Sequence, residues 1–365
     1  MKKIRVGVIG VGNCFSGLIQ GIEFYKRNRK TIKIGLMHEK IGNYSIYDID
    51  FVSAFDVAEN KIGKKLCDAI YTCPNCVNWV KNVSIGKDVI VKESPLLDGI
   101  GIYTASLIKP KKQTKSIKKL REEILEEIRK TKTEILINYL PVGAQKASEF
   151  WASIAIESKC GFINCIPVFI ASDKAWGTKF KMAHIPVIGD DIKSQIGATI
   201  VHRTLTKLCV DRGAKINRTY QINVGGNTDF LTMLERNRLE SKKISKTEAV
   251  RSLIPSGIED RNIYVGPSDF IPFLGNTKLA FIRIEGKMFA EIPFNMELRL
   301  EVDDKANSAG VAIDAIRYCK IALDHNVGGP LIEPSAWLMK HPPLQMGDEE
   351  AKKKTEEWLM NLTMI

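Results

Sequence analysis

Ile4-Arg5-Val6-Gly7-Val8-Ile9-Gly10-Val11-Gly12-Asn13-Cys14-Phe15 decides how the rest of the chain is read. The first six residues are a short β-branched apolar run that ends in glycine, as a strand buried on both faces of a parallel sheet does. Residues 14–26 then carry a helical pattern, so Gly10-Val11-Gly12 falls between a strand and a helix. There, backbone N–H groups and the positive end of the helix can meet a pyrophosphate. A bare G-x-G is unspecific, and a second one occurs at Gly99-Ile100-Gly101; its position gives the first one weight. Phe51 to Asp56 reads as a second strand ending in a carboxylate, and an acid there accepts ribose hydroxyls and favours NAD over NADP. Two features depart from the usual pattern. Phe15 stands where a third glycine is common, and Asp56 lies beyond the usual offset, with residues 28–50 as an insertion.

Outward from this turn, strands and helices alternate. Asp88–Val91, Glu134–Leu140, Gly161–Ile166 and Ile185–Ile188 read as strands, and about 144–159 as a helix. Ile117, Leu120, Ile124, Leu125 and Ile128 recur at helical spacing within the lysine- and glutamate-rich stretch 111–132, a surface helix with a solvated face. Such alternation predicts an α/β fold with a Rossmann-type doubly wound parallel sheet. After about residue 215 the pattern changes: 218–224, 262–265 and 279–285 read as strands with few helices between. Phe294, Met296, Leu298, Leu300 and Val302 alternate with polar residues, as in a half-solvated or interface-facing antiparallel strand. Residues 307–325 return to a helix. The expected division is 1–200 plus 305–365 as the nucleotide-binding part and 201–304 as an inserted α+β part, in keeping with two domains for 365 residues.

Composition narrows the classes. With 44% hydrophobic and 26% charged residues the chain is ordinary globular material. Val6–Val11 is too short and glycine-broken for a signal-peptide core, and no apolar run reaches the length of a membrane span. A cytoplasmic protein without membrane partners is expected. The formal net charge of +12 favours anionic ligands, and no module accompanies it that would point to nucleic acid. Eight cysteines without a regular framework suit a reducing compartment. Cys73-Pro74-Asn75-Cys76 lacks the second pair a zinc site needs and reads as a cysteine-containing loop, and no metal site is expected from the histidine spacing. His202 reads as a satisfied structural histidine.

Several polar groupings are candidates for chemistry. Gly189-Asp190-Asp191-Ile192-Lys193-Ser194 follows a strand, where open α/β sheets bind ligands; Lys193 can hold a phosphate or a developing alkoxide. The same stretch also reads as an acidic helix cap with a surface lysine. Gly225-Gly226-Asn227-Thr228-Asp229 and Ser241-Lys242-Lys243-Ile244-Ser245-Lys246 are either phosphate-binding loops or a turn and a solvated basic helix start. Gly266-Pro267-Ser268-Asp269 and Asn276-Thr277-Lys278 are turns first and ligand groups second.

Taken in order, these motifs resemble the myo-inositol-1-phosphate synthase family, particularly its prokaryotic branch. The likeness rests on Gly10-Val11-Gly12-Asn13-Cys14, Phe55-Asp56-Val57, Leu97-Asp98-Gly99-Ile100-Gly101 and Asn138-Tyr139-Leu140-Pro141-Val142-Gly143. It continues through Gly189–Gln195, Asn223–Asn227, Leu239–Lys246 and Asn307-Ser308-Ala309-Gly310, covering about 4–345. The resemblance implies an NAD-retaining isomerase that turns D-glucose 6-phosphate into 1D-myo-inositol 3-phosphate. It implies NAD held by Gly10, Val11, Gly12, Asn13, Cys14, Asp56, Tyr139, Pro141 and Asp190, and catalytic Lys193, Lys242 and Lys278 with Asp269 in support. Asn227, Asp229 and Ser241 are implied on the substrate, and the central part is implied to build a homotetramer. The eukaryotic branch carries a further lysine where this chain reads Ile196-Gly197-Ala198-Thr199; another residue, or a monovalent or divalent cation, takes its place. A net NAD-dependent dehydrogenase of a phosphorylated sugar or polyol is the alternative.

Overall fold

The computed structural model describes residues 3–29 and 34–363, without the side chains of 240, 242, 267, 268 and 363. The strands are β1 (Ile4–Ile9), β2 (Lys40–Ile41), β3 (Tyr44–Ser45), β4 (Ile49–Asp56), β5 (Val91–Glu93), β6 (Ile135–Asn138), β7 (Gly161–Asn164), β8 (Pro186–Ile188), β9 (Lys215–Gly225), β10 (Ile263–Phe270), β11 (Thr277–Lys287), β12 (Pro293–Asp303) and β13 (Gly329–Pro330). The helices are α1 (Asn13–Arg27), α2 (Leu66–Ala69), α3 (Ile117–Thr131), α4 (Gln145–Ser158), α5 (Lys174–Met182), α6 (Ala198–Asp211), α7 (Thr228–Thr232), α8 (Glu240–Arg251), α9 (Asp304–Asp324), α10 (Ile332–Leu338) and α11 (Asp348–Thr363).

Seven strands form one parallel sheet in the order β13-β8-β7-β6-β1-β4-β5. β1 lies between β4 and β6, so the chain winds first to one side of β1 and then to the other. The resulting switch point sits at the C-terminal ends of β1 and β6, where such sheets bind ligands. Strands β1, β6 and β7 are nearly or wholly buried, as their unbroken apolar runs predict. The strand expected over 88–91 starts later, at Val91, because Ile90 makes only an isolated bridge to Lys65.

A second sheet has the order β10-β9-β11-β12, antiparallel except for β10 against β9. The alternating β12 is its edge strand, exposed at every second residue. Phe294, Met296 and Leu298 turn inward against Ile216, Ile282 and Ile284. The stretch 241–246 lies on helix α8, which packs against β10 and α6.

Helix α9 leads from the second sheet back to the first. Asp303 caps it by accepting the N–H groups of Lys305 and Ala306, both at 2.9 Å, which satisfies two otherwise orphaned donors. The helix is buried over most of its length against α1, β7 and β8. It therefore presents its first residues, Asp304 and Lys305, at the seam between the two sheets.

Candidate active site

The glycine turn is shaped for close approach. Gly10 has φ +86°, and a Cβ there would stand 2.9 Å from the Tyr139 carbonyl oxygen, so no other residue fits without movement. Gly12 caps α1 without a side-chain bond, and a Cβ on it would meet nothing within 4 Å. The first-turn N–H groups of α1 thus face open space. Asp56 is aimed by three backbone donors: Val11 N–H at 2.8 Å, Val57 N–H at 2.7 Å and Ala58 N–H at 2.8 Å. From below, Lys61 and Asn75 donate to the Val11 carbonyl at 2.8 and 3.0 Å. Asn13 accepts from the Cys76 N–H at 2.8 Å, so the cysteine-containing loop braces the turn. Among the described residues no group of three metal-ligating side chains exists.

Phe15 explains the absent third glycine. Its ring is fully buried and meets Phe51 edge to face at 4.8 Å between centroids. It belongs to the hydrophobic core that α1 shares with the sheet.

Gly10, Gly12, Asn13, Cys14, Asp56, Tyr139 and Pro141 line one cavity with Ser94, Leu96 and Leu97. Open glycines, a helix N-terminus without a side-chain cap and an aimed carboxylate at the end of β4 are what a dinucleotide's pyrophosphate and ribose require. The residues present fit NAD.

A second cavity opens from the first, sharing Cys14, Tyr139, Leu140, Asp229 and Lys305 with it. It is lined by four lysines (Lys246, Lys278, Lys305 and Lys340) and by Asp191, Asp229 and Asp304. Lys305 lies 2.8 Å from Asp229 and 3.1 Å from Asp304, and Lys278 3.3 Å from Asp304. Against the burial that would push it up, Lys278 and Lys305 hold the Asp304 carboxyl well below the usual carboxylate range. Burial acts to lower the Lys305 pKa, yet Asp229, Cys14 and Asp304 keep it well above its ordinary value. Burial pushes the Cys14 thiol up to about 11. On the far wall Lys340 donates to Asp191 at 2.8 Å, and Ser245 to the other oxygen of the same carboxylate at 2.7 Å. Backbone pairing aligns these groups: Lys340 N–H donates to the Asp191 carbonyl and Lys193 N–H to the Leu338 carbonyl.

The expected site residues divide. Asn227 is buried and caps α7 by accepting the Asp229 N–H at 3.0 Å, which turns Asp229 towards Lys305. Lys278 and Asp229 line the second cavity. Lys193 does not. Its ammonium group is buried behind the wall, 2.8 Å from Asp348 and 2.7 Å from the Ala336 carbonyl, and burial brings its pKa down to about 8. Asp190 does not reach the cofactor cavity either. It is fully buried and accepts from Asn164, from the N–H groups of Ile170, Ala171 and Ser172, and from the Ser172 hydroxyl. Its work is to hold the 167–172 loop, and burial raises its pKa to about 6. Asp269 is exposed on β10 and, among the described residues, accepts the next N–H, that of Phe270. Ser241 lies half-buried on α8 outside both cavities. Lys242 occupies α8 with a side chain outside the described residues.

Asp191 and Lys246 fall within candidate stretches without an assigned role, and Asp304, Lys305 and Lys340 lie outside them. For Lys246 a signal existed, because on a helix it lies one turn from Lys242 and shares its face. Asp304, Lys305 and Lys340 have none, since each reaches the cleft from a segment far along the chain. His202 is a structural histidine, its ring 2.7 Å from the Thr219 hydroxyl and 3.4 Å from Gln221, with burial lowering its pKa to about 4.

A switch-point glycine turn opening into a lysine-lined cleft defines an enzyme of Rossmann type that works on an anionic substrate beside a bound dinucleotide. The particular family follows from comparison with known proteins. A model of the myo-inositol-1-phosphate synthase family matches residues 197–305. Inositol-3-phosphate synthase of Mycolicibacterium smegmatis is 46% identical over 363 residues, 98% of each chain. That of Mycobacterium tuberculosis is 47% identical over 360 residues, 98% of this chain and 96% of the relative. The chain belongs to the inositol-3-phosphate synthase family. Two solved structures show the same fold: a myo-inositol-1-phosphate synthase-related protein from Thermotoga maritima (TM-score 0.84, 22% identity, 98% of each chain) and inositol-3-phosphate synthase from Caenorhabditis elegans (TM-score 0.80, 16% identity, 99% of this chain and 86% of that one).

Proposed function

We propose that this protein converts D-glucose 6-phosphate into 1D-myo-inositol 3-phosphate in the cytoplasm, with NAD retained and no net oxidation. The observation that carries this reading is the continuity of the two cavities: a lysine-lined cleft opens into the dinucleotide cradle at Cys14, Tyr139, Asp229 and Lys305. Bound NAD supplies hydride acceptance from the substrate's C5 and its later return. Ketone, enolate and aldol steps each put negative charge on oxygen, and fixed cations in a poorly hydrated cleft lower those barriers. Lys278 and Lys305, each ion-paired with Asp304, act as fixed positive charges. Lys340 and Lys246 stand across the cleft, where the phosphate or the C1 oxygen can be held. These groups, rather than Lys193, are the ones this reading puts on the substrate. Gly10, Gly12, Asn13 and Asp56 hold the nucleotide.

The division into 1–200 plus 305–365 and 201–304 is supported by the two separate sheets, with α9 as the return. A homotetramer is supported by the second sheet's unpaired edge strand β12. Among the described residues no helix is long and apolar enough to cross a membrane.

The test is incubation with glucose 6-phosphate and substoichiometric NAD. Inositol phosphate in large excess over NAD, without accumulating NADH, is expected. NADH formed one for one with an oxidised sugar phosphate would make the protein a net dehydrogenase instead.

A further inference from the structure

Lys305 differs from every other cation of the site in where it stands. Among the described residues it is the only lysine or arginine that lines both the nucleotide cavity and the lysine-lined cleft. Its side chain is 1% exposed. Its ammonium group has three acidic or polarisable neighbours: Asp229 at 2.8 Å, Asp304 at 3.1 Å and the Cys14 sulfur at 3.5 Å. Asp229 comes from α7 and Cys14 from the first turn of α1, while Asp304 precedes Lys305 on α9 itself. Three elements thus meet at one positive charge. A buried ammonium ion is stable only when its donors are satisfied, and here all three point at groups that border the reaction space. Asp304 also pairs with Lys278 at 3.3 Å, and Lys305 bridges it to Asp229.

We propose that Lys305 is a built-in cation of the reaction centre, occupying the junction of the two cavities so that the protein needs no added metal or ammonium ion. Its charge faces the nucleotide on one side and the developing oxyanion on the other, and it fixes Asp229 and Asp304 in place. The turnover part of this proposal rests on the isomerase reading above; the charge-replacement part does not.

The test uses the full-length protein freed of metal ions by chelator and held in a buffer whose only cation is tetramethylammonium. Wild type is expected to form inositol phosphate at the same rate as in buffer supplemented with potassium, ammonium or magnesium. Lys305→Ala is expected to lose on the order of a hundredfold in turnover and to regain at least about tenfold of it with ammonium as a charge substitute. A folding defect would not be reversed by ammonium. Independently of turnover, Mn²⁺ is titrated in and its free electron-paramagnetic-resonance signal followed. The variant, in which Asp229 and Asp304 both border the vacated position, is expected to sequester one ion per chain that wild type does not. The proposal is overturned if wild type requires an added cation, if the variant turns over within threefold of wild type, if lost turnover is rescued by neither ammonium nor Mn²⁺, or if wild type itself sequesters the ion at this site. Should neither protein make inositol phosphate under any condition, the isomerase reading fails and the Mn²⁺ titration alone decides on Lys305.

Discussion

The Lys193 ammonium group lies 2.8 Å from the Asp348 carboxylate, joining the loop after β8 to the first residue of α11. Arg203 reaches the other oxygen of Asp348 at 2.6 Å, so one carboxylate ties two buried cations together. A lysine that would otherwise be read as a reagent is here the anchor of a C-terminal helix.

Lys193→Ala is therefore expected to destabilise the fold. Removing one partner of a buried pair costs about 3–5 kcal/mol, reduced here because Asp348 retains 25% side-chain exposure and Arg203 as a partner. Urea unfolding measures the loss. Turnover per folded molecule should stay within about tenfold of wild type; complete loss of activity in a fully folded variant would return Lys193 to the chemistry.

Lys340→Ala should lose both stability and turnover. Its partner Asp191 is buried and keeps the Ser245 hydroxyl, so unfolding should show a loss of up to about 3–5 kcal/mol. Turnover should fall by roughly 10²-fold or more as a cation facing the developing oxyanion is lost, while NAD affinity stays near wild type. Steady-state kinetics alongside a nucleotide titration separates the two quantities.

Gly10→Ala places a methyl group 2.9 Å from the Tyr139 carbonyl in a backbone conformation with φ +86°. The left-handed region alone costs a non-glycine residue roughly 1–2 kcal/mol, and relieving the contact moves the turn. NAD affinity, followed by quenching of protein fluorescence, should weaken at least about tenfold on the scale of 1.4 kcal/mol per decade.

Phe15→Ala tests the departure from the three-glycine pattern. Opening a cavity against Phe51 should cost about 3–5 kcal/mol in unfolding experiments. If Phe15 is purely a core residue, NAD affinity of the folded variant remains as in wild type; a large drop would mean that its size shapes the turn.

His202 supplies a pH dependence with a definite sign. Its folded pKa of about 4 lies below the ordinary value of 6.5. Between these values the unfolded chain binds a proton that the folded protein refuses, so stability falls as the pH drops from 6.5 towards 4. Relative to His202→Gln, which can keep bonds to Thr219 and Gln221, wild type should lose stability across that window and not above it. Denaturant midpoints at several pH values give the comparison, and parallel curves would exclude the assignment.

The sequence by itself determined six of the first sheet's seven strands and its nucleotide turn, but not the two-residue β13. β1, the glycines and Asp56 are contiguous or joined by one crossover, and burial on both faces of a parallel strand imposes an apolar run that can be read directly. β12 was legible for the same kind of reason, as an edge strand solvated on one face leaves a period of two. Tertiary structure decided which lysines face the reaction space. Lys193 and Lys340 both sit where 190–193 and 338–341 run side by side, yet Lys340 turns to Asp191 in the cleft and Lys193 turns to Asp348 behind it. A lysine side chain is long, flexible and compatible with either surface, so its direction is set by where the carboxylates of distant segments come to rest. Asp348, Asp304 and Asp229 are brought to those places only by the docking of α11, α9 and α7, and local sequence carries no trace of that docking.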